Sequence, residues 1–101
     1  MIRTVNVEEL TENIKEMCIE ANHFLSDDMG KAMESAAKEE RSPLGRQILE
    51  QLQENLKIAA EDMIPICQDT GMAVVFLEIG QDVHLEGGVL EDAVNAGVRK
   101  G

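Results

Sequence analysis

Residues 65–76 read PICQDTGMAVVF, and here a long charged helical pattern gives way to a nearly continuous apolar run. Pro65 pushes the residue before it out of the helical region, so the helix ahead of it must end. Asp69, Thr70 and Gly71 then carry turn chemistry, through a carboxylate and a hydroxyl that bond nearby backbone and a glycine that tolerates unusual dihedrals. Beyond the turn, MAVVFLEIG (72–80) is apolar on both alternating faces and rich in Val and Ile, which predicts a strand covered on both sides. One strand cannot bury itself. Either the short DVHLE segment (82–86) supplies a partner, or the neighbours lie in sequence outside these 101 residues.

Working toward the N-terminus, RSPLGRQILEQLQENLKIAAEDM (41–63) places Ser42 at a cap position and Pro43 at the first helical position. Leu44, Ile48, Leu52, Leu56, Ala59 and Met63 hold one face over about five turns. Before it, SDDMGKAMESAAKEE (26–40) offers Ser26 as a cap, Asp27 and Asp28 where the helix dipole favours negative charge, and a stripe through Met33, Ala36 and Ala37. Gly30 weakens that helix. From Val7 to Leu25 the residues Val7, Leu10, Ile14, Met17, Cys18, Ala21 and Leu25 recur at helical spacing, with Asn6 and Glu9 placed as a capping box. Toward the C-terminus, Gly87 and Gly88 precede Val89, Leu90, Ala93, Val94 and Val98 at helical spacing, with Arg99 and Lys100 suited to a helix end. The predicted fold is α+β and mostly helical: three N-terminal helices, a CQDTG loop, one strand or small hairpin, and a C-terminal helix.

A chain of 101 residues buries one core but scarcely two. Its 44% apolar and 29% charged content fits a packed globular protein rather than a disordered one. With two Phe and no Trp or Tyr, the core is built from aliphatic residues and Met, and six Met make an adaptable packing surface. A net charge of −11 argues against nucleic acid or an anionic membrane as partner, since both are met by basic patches. No apolar run of about eighteen residues exists, and MIRTVNVEEL lacks the pattern of a secretory signal, so a cytoplasmic location is the default expectation. A reducing compartment makes thiol or metal chemistry the better starting assumption for Cys18 and Cys67 than a disulfide.

Cys67 is the residue most open to chemistry, as a nucleophile or thiolate ligand given a positive or metallic neighbour. Spacing alone defines no metal site, because there is no CxxC and no nearby histidine. An ordinary loop cysteine is the commoner use of such a residue. Asp69 can act as acid or base, or it can simply cap its own turn. Gln68 and Thr70 can bond a ligand or the local backbone. Cys18 falls on an apolar helical stripe and is read as core. His23 at a helix end reads as a favourable charge on the dipole, His84 as a turn or edge residue, and the Gly87–Gly88 pair as a turn.

Taken together, SPLGRQILEQLQENLKIAAEDMIPICQDTGMAVVFLEIGQDVHLEGG resembles the N-terminal part of the alpha subunit, or alpha-type region, of the iron-sulfur class I fumarase and L-tartrate dehydratase family, with PICQDTGMAVVFLEIGQDVH the most specific portion. The resemblance implies a hydro-lyase that adds water to, or removes it from, a small dicarboxylate. It implies a 4Fe-4S cluster held by three cysteine thiolates, with one iron left open as a Lewis acid. On that likeness Cys67 is the first of the three ligands, Gln68 and Asp69 lie beside the dicarboxylate, and Asp69 is the candidate catalytic residue. The other two ligands, the arginines that clamp carboxylates and a beta subunit or domain fall outside this sequence. Residues 1–101 are thus expected to be a single, truncated N-terminal segment of an oligomeric enzyme, inactive alone. Fumarate hydration is the first expectation and tartrate dehydration the second; a non-catalytic helical interaction module is the rival from a different class.

Overall fold

In the computed structural model, which describes residues 1–68 and 71–101, the order of elements is β1 (Arg3–Asn6), α1 (Val7–His23), α2 (Asp27–Glu39), α3 (Pro43–Asp62), β2 (Val83–Glu86) and α4 (Leu90–Lys100). The fold is α+β and mostly helical, with three helices ahead of the CQDTG segment and one after it, as the sequence predicts. Among the described residues no helix is long and apolar enough to cross a membrane. The chain divides into two compact units, 1–19 with 70–101, and 20–69.

In the first unit β1 and β2 pair in parallel, Arg3 opposite Val83 and Asn6 opposite Glu86. The hairpin expectation is corrected here: DVHLE does supply a strand, but its partner is the N-terminal RTVN. Residues 72–79 form no strand. A doubly apolar strand needs neighbours on both faces and along both edges. No backbone hydrogen bond reaches these residues among those described, and Met72, Val74 and Phe76 stand 78%, 66% and 91% exposed.

The strand β1 leads directly into α1, because the Asn6 side chain accepts the Glu8 N–H at 2.8 Å and satisfies one of the free donors of the first turn. Asn6 is thus the cap the sequence predicts, but its bond goes to Glu8 rather than to Glu9, the residue a capping box would use. The start of α1 packs against α4 at very short range. Ala93, Gly97 and Gly101 recur every four residues on one face of α4, and a Cβ on Gly97 would stand 2.8 Å from the Cβ of Ile14 and from the Thr11 carbonyl. Val7, Thr11, Ile14, Ala93 and Gly97 are buried at this seam. The Thr11 hydroxyl crosses it, 2.9 Å from the Ala93 carbonyl, so the one buried polar side chain among the described residues is satisfied. At the exposed end Lys100 meets Glu12 at 3.1 Å.

In the second unit α2 packs on α3. Ser42 accepts the Gly45 N–H at 3.3 Å and Pro43 opens α3, so the predicted cap is present. The helix ends two residues ahead of Pro65, at Met63 in the left-handed region (φ 52°). That conformation is costly for a residue with a Cβ. Of the predicted apolar face only Ala59 is fully buried; Leu44, Ile48, Leu52 and Met63 remain exposed.

Candidate functional site

The predicted site begins where α3 stops. After Met63, residues 64–68 adopt no regular structure, yet three hydrogen bonds from three successive residues hold them. The Ile66 N–H donates to the Asn22 carbonyl at 2.6 Å, the Cys67 N–H to the Asn55 Oδ1 at 3.1 Å, and the Gln68 Nε2 to the Asn22 Oδ1 at 3.3 Å. Asn55 lies seven residues before the end of α3, a distance of about 10 Å along the axis. The chain must therefore turn at Met63 and run back along the helix, which the left-handed residue there permits.

Cys67 is exposed and Cys18 half-buried, and neither is in a disulfide. Cys67 thus stands at the surface, on a backbone held by hydrogen bonds. Among the described residues no three His, Cys, Asp or Glu side chains come together to hold a metal ion. The Gln68 side chain also carries a second N–H and a carbonyl oxygen, which an amide can use toward a further partner. The predicted catalytic residue Asp69, with Thr70, lies outside the described residues.

The remaining sequence candidates fall where ordinary packing explains them. Cys18 backs onto the end of α4, where a Cβ on Gly101 would come within 2.7 Å of its Cβ. His23 is half-buried in the last turn of α1, and His84 is exposed on β2 opposite Thr4. Gly87, at φ 91°, turns the chain beside the Asn6 side chain. A groove of about 410 Å³ lined by Glu34, Ala37, Lys38, Arg46, Glu50 and Gln53 contains none of the predicted site residues. Sequence reasoning missed Asn22 and Asn55. A signal for Asn55 existed, since asparagine is a poor residue for a helix interior unless its side chain has another task.

Comparison with known proteins agrees with the sequence resemblance. The family model for fumarate hydratase (Fumerase) matches residues 11–101. The "Putative L(+)-tartrate dehydratase subunit alpha" of Methanocaldococcus jannaschii is 38% identical over 76 residues, which are 75% of this chain and 27% of that protein. This chain thus matches only about a quarter of that relative's length. No solved structure matches the chain at a significant level. With nine-tenths of its residues matched, including the whole Pro65–Gln68 segment and both asparagines that hold it, this chain belongs to the fumarate hydratase (Fumerase) family of hydro-lyases.

Proposed function

We propose that these residues form the N-terminal segment of a longer alpha subunit of a cytoplasmic fumarate hydratase, which adds a hydroxyl to one alkene carbon of fumarate and a proton to the other to give L-malate. The observation that carries this reading is an exposed Cys67 on a hydrogen-bonded loop within the region matched by the family. In it, Cys67 is one of three thiolate ligands to a 4Fe-4S cluster, and the other two come from residues beyond this segment. The bound cluster would supply Lewis acidity through an open iron. Gln68 would donate its remaining amide N–H to a substrate carboxylate while Asn22 keeps its side chain in place. Asp69 would bond the substrate or handle a proton. The relative's designation as a subunit alpha implies a partner subunit for that protein, and a beta subunit or domain would complete the site here in an oligomeric assembly.

The second reading is L-tartrate dehydratase, favoured by the name of the relative from Methanocaldococcus jannaschii. The two substrates differ in hydroxyl groups, and a site built to bond a hydroxyl discriminates strongly against a substrate lacking it. Turnover of fumarate and L-tartrate by the complete, anaerobically reconstituted enzyme separates them. Stable cluster binding and fumarate hydration by residues 1–101 alone would overturn the segment reading.

A further inference from the structure

We propose that residues 72–79 are a docking strand, which the rest of the alpha subunit covers by laying a strand of its own along their backbone. The proposal rests on the proposed function, in which residues 1–101 are part of a longer subunit, and adds to it the surface through which the two parts join. Exposure alternates along this segment: Met72, Val74 and Phe76 stand 78%, 66% and 91% exposed, while Leu77 and Ile79 are 46% exposed and Val75 is half-buried. One side is thus partly covered and the other is open. Glu78 is the one charged residue of 72–79, in a chain with a net charge of −11. Large apolar side chains in a patch depleted of charge are the composition of an interface core, and monomeric proteins seldom leave such a patch open. Among the described residues no backbone–backbone hydrogen bond reaches 72–79, so their N–H and C=O groups are available to a strand added alongside.

A partner that met only the side chains would shut water away from those backbone groups and leave them unpaired. The occupant is therefore itself a strand, with apolar residues toward Met72, Val74 and Phe76. It comes from the same subunit rather than from a second copy of residues 1–101. The match takes in 27% of the relative's length, so the greater part of such a subunit lies outside the matched region and can supply the strand. Tethered through the chain, that strand reaches 72–79 at an effective concentration on the order of millimolar. A second copy would bring another net charge of −11, whose repulsion opposes association.

The test is hydrogen exchange, read by mass spectrometry, on residues 1–101 and on the complete alpha subunit, each without its partner subunit. In 1–101 the amides of 72–79 should exchange at nearly the unprotected rate, and in the complete alpha subunit at least about 100-fold more slowly. Phe76→Lys should leave the urea midpoint of 1–101 unchanged, because the side chain is already in water. In the complete subunit the same substitution should cost at least about 10-fold of that protection, because it buries a charge. If that variant of the complete subunit fails to fold, the wild-type comparison decides. Protection of 72–79 in 1–101 that grows with concentration, alongside a dimer in light scattering, overturns the proposal in favour of a second copy. Amides of 72–79 that stay unprotected until the partner subunit is added overturn it in favour of that subunit. Unprotected amides in a complete enzyme that hydrates fumarate overturn the docking and leave the proposed function. Protected amides in a complete enzyme that turns over neither fumarate nor L-tartrate do the reverse.

Discussion

Replacing Gly97 by alanine tests the seam between α1 and α4. The new Cβ would lie 2.8 Å from both the Cβ and Cγ2 of Ile14 and from the Thr11 carbonyl oxygen, against an ordinary contact distance of 3.4–4 Å. Ile14 is 2% exposed and the Thr11 oxygen is backbone, so neither can swing aside. The helices must instead part by about 0.6 Å, which erodes dispersion contacts along the seam. Overpacking of this kind costs about 1–3 kcal/mol. The same movement stretches the Thr11–Ala93 hydrogen bond from 2.9 Å toward the limit of useful geometry, at about 1 kcal/mol. Against these, alanine favours the helix over glycine by about 1 kcal/mol. The net expectation is a loss of about 1–3 kcal/mol, read as a lower urea midpoint and a melting temperature lower by about 4–8 °C per kcal/mol. Thr11→Val should also cost less in the Gly97→Ala background than alone, because the bond it removes is already weakened. A Gly97→Ala protein as stable as the wild type, or more so, would refute this packing.

Other substitutions probe single local devices. Ser42→Ala removes the oxygen that accepts the Gly45 N–H and should destabilise by about 1 kcal/mol in urea unfolding; an unchanged midpoint would mean that the cap contributes nothing. Gly87→Ala places a Cβ at φ 91° and 2.8 Å from the Asn6 side chain, so a loss of about 1–3 kcal/mol is expected, and a neutral result would count against the turn. The Lys100 ammonium, by hydrogen bond and charge, and then Lys15 by charge, hold the Glu12 carboxyl below its ordinary value of 4.5. With the folded pKa below the unfolded one, the stabilising contribution is present above the unfolded pKa and lost as pH falls through the folded pKa. Lys100→Met should move the Glu12 titration upward in NMR and flatten that acid dependence; an unmoved midpoint would exclude the pair.

How much was legible in the sequence depended on whether a signal was local. The Ser42–Pro43 start of α3 and the Asn6 start of α1 were readable because a cap acts within one turn. The RTVN strand was missed, although Ile2, Thr4, Val5 and Val7 are the β-branched residues a strand favours. Its partner lies some eighty residues away, and sequence-distant pairing leaves no local mark. The opposite error came at 72–79, where a strong strand pattern has no neighbour to pair with among the described residues. Propensity describes fitness for a sheet and cannot supply the other strands. At the site, Cys67 was marked by its residue type and its place in an irregular connection, and only the family likeness gave it a specific role, whereas Asn55 needed coordinates, because its bond spans twelve residues across the end of a helix.

The most direct test of the account is fumarate hydration by the complete alpha region with its partner subunit, reconstituted anaerobically, with and without Cys67→Ala. The account predicts a 4Fe-4S spectrum and malate formation in the wild type, and loss of both in the variant. A variant that keeps the cluster and hydrates fumarate at the wild-type rate would contradict it.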